Sequence, residues 1–436
     1  MTYQDYTAKV DDDLPVAVAK ASGGDLRGAI DGLLPLEKKA RIASDSKSTA
    51  RICAAIVTMC FDAGDWDVMC ESIIMLTKRR GALKMAVTKM VQTACDCLEK
   101  SPNMETTLKL IDTLRTCTAG KIHVEIERAR LTMKLSKIKE AEGNIPEAAD
   151  VLQELQVETY GTMERKEKVE FILEQMRLGL ARKDYIRTQI LSKKVSGRYL
   201  DKEEAQDLKL KFFRIMIDCS LHDGNYLDVC KHNRAIFDTP GIQADEAAWQ
   251  AALRDAVVYA VLSPYDNEQS DLVARIAAEK KLEEMPVVNK ILQKFITSEI
   301  MSWKAVDAEF GAELQGSTSF DLSTDAGKKR YEDLKNRVVE HNIRTIGKYY
   351  TRCSISRLAS LLELPMDETE ACLSKLVENK TVFAKIHRPK GIISFRSKKD
   401  ASEVLQDWSH SNNELMRSVG HAAHVIEKEK IANAAK

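Results

Sequence analysis

The stretch that decides the fold is "HDGNYLDV" at residues 222–229, because the chain writes it several times. It reads "DAGDWDVM" at 62–69, "AEGNIPEA" at 141–148, "ARKDYIRT" at 181–188 and, more faintly, "SGGDLRGA" at 22–29. Each copy has Asp or Asn (Asp25, Asp65, Asn144, Asp184, Asn225) followed by an apolar residue, and four of the five have Gly just before it. The intervals are near 40 residues or twice that, so a further copy belongs near 104, where "SPNMETTLKL" offers Asn103. The phrase has a mechanical reading. One helix ends, Gly takes the left-handed position past its C-terminus, and Asp or Asn caps the next helix. Leu26, Trp66, Ile145, Tyr185 and Tyr226 then pack back between the two helices. Amphipathic stretches follow, such as Val68, Met69, Ile73 and Leu76, or Ala148, Val151, Leu152 and Leu155.

One helix pair cannot bury its apolar stripe alone, whereas stacked pairs make a continuous core. The period is close to that of TPR and HEAT units, but the strict TPR consensus is missing. The expectation is a mainly α protein whose residues 1–310 form a right-handed, TPR-like helical-repeat solenoid, with weaker units at 263–276 and 301–310.

Bulk composition agrees. The 436 residues hold 66 basic and 66 acidic side chains, so no global basic field draws the chain to phosphate backbones. Nine Pro and 6% aromatic residues favour helix over sheet. The ten Cys are irregularly spaced without C-x-x-C and mostly lie in apolar stretches, which suits reduced core thiols. The N-terminal residues are polar and acidic with no signal-peptide core, and no apolar run is long enough to span a bilayer. A soluble intracellular protein is expected.

Residues 311–327, "GAELQGSTSFDLSTDAG", interrupt the helical pattern and read as a loop or seam. Residues 328–399 differ in kind. A helix at 328–350 carries Leu334, Val338, Ile343 and Ile346 inward. A short one at 354–364 uses Ile355, Leu358, Leu361 and Leu362, with Ser354 or Ser356 as cap. A third at 365–380 starts at Pro365, has acids in its first turn, buries Leu373, Leu376 and Val377, and stops at Asn379. The period then changes to two over 381–395, "TVFAKIHRPKGIISF", a hairpin turning at 388–391. Three helices and a hairpin make a winged helix. Residues 400–436 close the chain with a long polar helix whose narrow stripe includes Val404, Trp408, Leu415, Val419, Ala422 and Ile426, the pattern of a helix that packs on partner helices.

A helical-repeat array running into a winged helix and then a terminal helix resembles the PCI family, shared by the proteasome lid, the signalosome and translation initiation factor 3. "RVVEHNIRTIGKYYTRCSISRLASLLEL" (337–364), "KLVENKTVFAKIHRPKGIISF" (375–395), "DWSHSNNELM" (407–416) and "LTKRRGALKMAVTKMV" (76–91) are similar to its proteasome-lid members. His387 departs from the family, which commonly has Asp at that point of the hairpin. The resemblance implies a non-catalytic scaffold subunit of the 26S proteasome regulatory-particle lid, supporting ubiquitin-dependent protein degradation in cytoplasm and nucleus. It implies partners among the other PCI subunits of the lid, the zinc deubiquitinase subunit and the core particle, with no membrane. The alternatives are a PCI subunit of the signalosome or initiation factor 3, or a winged-helix nucleic-acid adaptor.

No H-x-H or H-E-x-x-H occurs, and around Gly327-Lys328 of "DAGKKR" the chain has Leu322 and Lys329 where a phosphate loop needs its first Gly and its Ser or Thr. His421 and His424 lie one turn apart on the last helix, where a solvated helix face is the simpler reading. Catalytic, cofactor and metal residues are therefore expected to be none. Nucleic acid is disfavoured, because the third helix of the winged helix shows Asp367, Glu368, Glu370 and Glu378 to a would-be phosphate. The wing residues Lys385, Arg388, Lys390, Arg396, Lys398 and Lys399 form a basic strip that keeps RNA or acidic protein open. Interaction is expected at Ile392, Ile393 and Phe395, read as an open strand edge, and at Val404, Trp408, Leu415, Val419 and Ile426 of the terminal helix.

Overall fold

The computed structural model describes residues 6–315, 320 and 323–434 apart from 101, 102 and 396–399, with backbone only for 312–315. Two compact units divide the chain. One holds residues up to 225 together with 235–244, and the other holds 226–234 and 245 onward, so the helix at 226–237 is shared between them.

The first unit is built of antiparallel helix pairs: α1 (Thr7–Ser22) with α2 (Leu26–Ile42), α3 (Ser46–Asp62) with α4 (Trp66–Lys78), α5 (Lys84–Leu98) with α6 (Met104–Thr118), α7 (Glu125–Ala141) with α8 (Ile145–Gln153), and α9 (Arg165–Ala181) with α10 (Tyr185–Ser192). A helical turn, α11 (Gly197–Leu200), leads to α12 (Gln206–Asp223). Helices pack on the equivalent helix of the next pair, α1 on α3, α3 on α5, α4 on α6 and α9 on α12, so each stripe is covered by neighbours on both sides. A core through the first pairs runs from Val10 through Ile56 and Met90 to Leu114 and Leu135.

The repeated phrase marks the turn inside each pair. The residues opening the second helix stand at 25, 65, 103, 144, 184, 225 and 266, steps of 38 to 41 residues. Gly24, Gly64, Gly143, Lys183 and Gly224 take left-handed backbone at these turns. The side chains of Asp25, Asp65 and Asp184 accept from the amides of Gly28, Val68 and Arg187. Asn144 and Asn103 make no side-chain cap bond, so there Asn supplies backbone geometry without a cap. Asp45 is a capped turn that the phrase missed. Ser44 takes the left-handed conformation in place of Gly, and Asp45 accepts from the amides of Ser48 at 3.1 Å and Tyr6 at 3.0 Å. Burial opposes the charge on Asp45, but hydrogen bonds from Ser48 and Tyr6 outweigh it and hold its carboxyl below the usual range.

Lys183 is the one phrase position where a side chain occupies left-handed backbone. Lys183→Gly removes the Cβ–carbonyl crowding and should stabilise the first unit by about 0.5–1 kcal/mol, less what glycine costs in the unfolded chain. Urea unfolding at constant slope checks it.

Balanced charge is spent between repeats. Arg51 pairs with Asp11, Arg115 with Glu154 and Arg130 with Glu167, each about one repeat away in sequence. Such exposed pairs contribute about 0–1 kcal/mol each and act mainly on register. The ten thiols are all free. Burial pushes Cys53, Cys95 and Cys230 up to about 12, which keeps them protonated and inert.

In the second unit, α13 (Tyr226–Phe237) precedes the short α14 (Pro240–Gln243), which belongs to the first unit. Then come α15 (Glu246–Leu262), α16 (Asn267–Ala277), α17 (Pro286–Ile296) and α18 (Trp303–Gln315). The unbroken apolar run at 256–262 is buried along its whole length in α15. The stretch read as a seam at 311–327 is helical at both ends, since α18 runs to Gln315 and α19 (Asp325–Tyr349) starts inside it.

The winged helix follows: α19, β1 (Arg352–Ser354), α20 (Ile355–Leu362), α21 (Met366–Glu378), β2 (Lys385–His387) and β3 (Ile392–Ser394). Ser354 caps α20 through the Arg357 amide, Asn379 ends α21, and the hairpin turns through Gly391 in left-handed backbone. The apolar residues expected to face inward do so: Leu334, Val338, Ile343, Ile346, Leu358, Leu362, Leu373 and Leu376 are buried, with Ile355, Leu361 and Val377 partly so. The chain ends in α22 (Ala401–Ala434).

Asn342 fastens α19 to the segment before α18, donating to the Met301 carbonyl at 2.7 Å and accepting from its amide at 2.8 Å. Beside it, buried His341 sits against Phe295, with Nε2 3.2 Å from the Glu299 carbonyl. Burial, reinforced by the Arg344 charge, pushes the imidazole down to about 4. The folded state therefore resists a proton that the unfolded chain takes near its ordinary value. The stabilisation is complete above about pH 6.5 and is lost as pH falls toward about 4, roughly 3 kcal/mol over the window. His341→Gln should flatten that slope in denaturation curves at pH 7, 6, 5 and 4.

Candidate assembly surfaces

The small sheet has the order β1-β3-β2, both pairings antiparallel. Ile393 lies opposite Cys353 on one side and Ile386 on the other. This corrects the reading of Ile392, Ile393 and Phe395 as an open edge. β3 is the middle strand, and its backbone groups are taken by β1, which arrives from about 40 residues upstream. Ile393 is 1% and Phe395 8% exposed, both in the core with Ile343, Leu358 and Leu373. Ile392, 38% exposed, points outward. Among the described residues the unpaired edges belong to β1 and β2. On the β2 side, Lys385 and His387 are exposed and Ile386 is half-buried.

The terminal helix is the larger surface. Every residue of α22 is exposed. Val404, Trp408, Leu415, Val419 and Ile426 all lie more than half exposed, Trp408 at 68%. Leu405 and Met416 at 63%, with Ile431 at 71%, extend the apolar surface beyond the residues first singled out. Leu405, Trp408, Asn412, Leu415, Val419, Ala422 and Ile426 alternate in steps of three and four, the seam of a helix made for other helices. The missed Leu405 was legible from that spacing. Large apolar side chains so exposed along one helix make it a candidate interaction surface.

The wing is less basic than its sequence. Arg388 binds Glu370 of α21 at 2.7 Å, cancelling one cation, while Arg396, Lys398 and Lys399 lie outside the described residues. Asp367, Glu368 and Glu378 stay exposed on α21, the helix that would enter a groove of DNA. His421 and His424 are exposed on α22. Among the described residues no group of His, Cys, Asp and Glu is arranged to hold a metal ion, and no helix is long and apolar enough to cross a membrane. Cys219 and Cys230 are buried, and His222 stacks on Tyr185 with centroids 3.6 Å apart, as packing residues do.

The first unit also carries an open cavity of about 1030 Å³ along α5, α7, α9 and α12. Ion pairs such as Lys134–Glu99 and Arg130–Glu167 span its wall, and its cationic and anionic side chains nearly balance, so it projects no field of one sign.

Comparison with known proteins gives three family matches in succession along the chain: "PSMD12/CSN4, N-terminal" over residues 28–245, "PCI domain" over 308–397, and "26S proteasome regulatory subunit RPN5 C-terminal domain" over 402–433. The chain is 42% identical over 409 residues to the 26S proteasome non-ATPase regulatory subunit 12 of Dictyostelium discoideum, covering 94% of this chain and 91% of that one. It is 40% identical over 409 residues to the 26S proteasome regulatory subunit rpn501 of Schizosaccharomyces pombe, covering 94% and 92%. Likeness to the COP9 signalosome complex subunit 4 of Drosophila melanogaster is weaker, 24% over 188 residues and 43% of each chain.

Proposed function

The chain belongs to the family of 26S proteasome non-ATPase regulatory subunit 12, also called RPN5, and from that membership we propose that it is a scaffold subunit of the proteasome lid with no reaction of its own. The observation that carries the reading is α22. It presents an apolar stripe over the whole length matched by the family's C-terminal domain, and none of the described residues covers it. Burying each large side chain of that stripe contributes about 1.5–3 kcal/mol, which favours a shared helical bundle over a solvated helix.

The sheet supplies the second contact. The β1 and β2 edges offer unpaired backbone groups that a neighbouring strand satisfies, and the exposed side chains of Lys385 and His387 would help select it. Other PCI subunits of the lid are the proposed occupants of both surfaces. The helical-repeat part would reach the zinc deubiquitinase subunit and the core particle. On this reading the protein would work in cytoplasm and nucleus. The acids of α21 and the paired Arg388 argue against DNA as the ligand of the winged helix.

Affinity purification of the tagged chain with mass spectrometry tests the proposal. Lid subunits and proteasomal ATPases should co-purify in fixed stoichiometry. Recovery of cullins or ribosomal proteins in their place would assign the chain to the signalosome or initiation-factor branch, and nuclease-sensitive partners would make it a nucleic-acid adaptor.

A further inference from the structure

We propose that the cavity between α16, α17 and α19 is a binding site for a phosphate group, free or carried on a peptide side chain. The cavity measures about 210 Å³, less than a site for a whole drug-sized ligand and suited to a single anionic group. Its lining includes two cations, Arg344 and Lys348, and no carboxylate. Ser270 and Ser298 add hydroxyl donors, while Val273 and Phe295 make part of an apolar wall.

Arg344 is the centre of the argument. Its guanidinium lies 3.6 Å from the Tyr265 ring centroid, so one face is covered by the aromatic ring, whose hydroxyl also attracts the charge. Its Nε is buried without a hydrogen-bond partner among the described residues. The nearest acid on the same helix, Glu340, is held by Arg337 at 2.5 Å. Burial pulls the Arg344 pKa below its ordinary value, yet a guanidinium does not give up its proton in a protein. Glu340 attracts the Arg344 charge but is itself bound by Arg337, and an oxyanion entering the cavity would further offset the cost of desolvating the guanidinium.

The neighbours fit the same ligand. Lys348 lies one turn further along α19 and its Nζ donates to Ser298 Oγ at 3.0 Å, which holds a second charge at the rim. His341, on the turn before Arg344, is neutral and adds a polar wall without a further charge. The lining thus presents two cations, hydroxyl donors and no carboxylate, the chemistry that recognises phosphate.

Calorimetric titration of the full chain tests the site, using inorganic phosphate and a glycine-flanked phosphoserine peptide against sodium chloride at matched ionic strength. At least one probe should bind saturably, with affinity at least tenfold lower in Arg344→Gln and several-fold lower in Lys348→Gln. Lys348 is exposed, so that variant keeps the fold if Arg344→Gln does not. A site for free phosphate binds both probes alike, whereas a site for a modified partner prefers the peptide and ignores its unphosphorylated form. Absence of saturable binding by either probe, or binding unchanged in Lys348→Gln and in a folded Arg344→Gln, overturns the proposal.

Discussion

Removal of residues 400–436 should leave a chain that folds and melts like the full-length protein and no longer enters its complex. No residue of α22 is buried, so the truncation exposes no part of the core formed by Val339, Ile343, Leu358, Leu373 and Ile393. What is lost is surface that only a partner can cover. Burying Trp408, Leu415, Val419 and Ile426 amounts to an upper estimate of about 6–12 kcal/mol before the cost of association, enough to decide assembly. Thermal melting and co-purification of the truncated chain read the two halves of the expectation separately. Trp408→Glu with Val419→Glu should reproduce the assembly defect in a full-length chain. Normal co-assembly of the truncated protein would show that α22 is not the shared element.

The second large effect lies inside the first unit. Glu37, on α2, has a side chain only 3% exposed. It accepts from Arg41 Nε at 3.0 Å and also binds Arg79 beyond α4. Arg41 in turn donates to the carbonyl of Arg80, so one carboxylate ties two helices and the turn that follows. Glu37→Ala leaves two poorly hydrated guanidinium groups without their anion, and should cost about 3–5 kcal/mol. Glu37→Gln keeps the shape and should recover part of it. Replacing Glu37, Arg41 and Arg79 together by apolar residues of similar volume should cost far less than Glu37→Ala alone, because no charge is then left unpaired. Urea denaturation of the four proteins checks the order. If Glu37→Ala proved as stable as the parent, the network would be a solvated surface cluster.

Much of the fold was legible because its punctuation is chemical. A residue in left-handed backbone followed by Asp or Asn can be read from the sequence, and the turns at 25, 65, 144, 184 and 225 were. The turn at Asp45 was not, since Ser44 gives no warning that it will adopt a conformation glycine prefers. The inward faces of α19, α20 and α21 followed from helical spacing alone. β1 escaped because three residues between two helices carry no period, and its partner lies far along the chain. That single omission turned the middle strand β3 into a supposed edge and moved the candidate contact from the β1 and β2 edges to a strand whose Ile393 and Phe395 belong to the core.

The terminal helix was readable for the opposite reason. Its seam runs for several heptads with nothing among the described residues packed on it, and periodicity alone exposes it, although Leu405, Met416 and Ile431 escape that reading. The phosphate cavity left no mark in sequence, since Arg344 and Tyr265 are brought together only by packing.

Amide hydrogen exchange across residues 401–434 tests the central claim most directly, comparing the isolated chain with the chain inside its purified complex. Exchange there should be fast in the isolated protein and slowed by orders of magnitude on assembly, most strongly around Trp408, Leu415 and Val419. Equal exchange in the two states would contradict the account, because the helix would then have no partner to cover it.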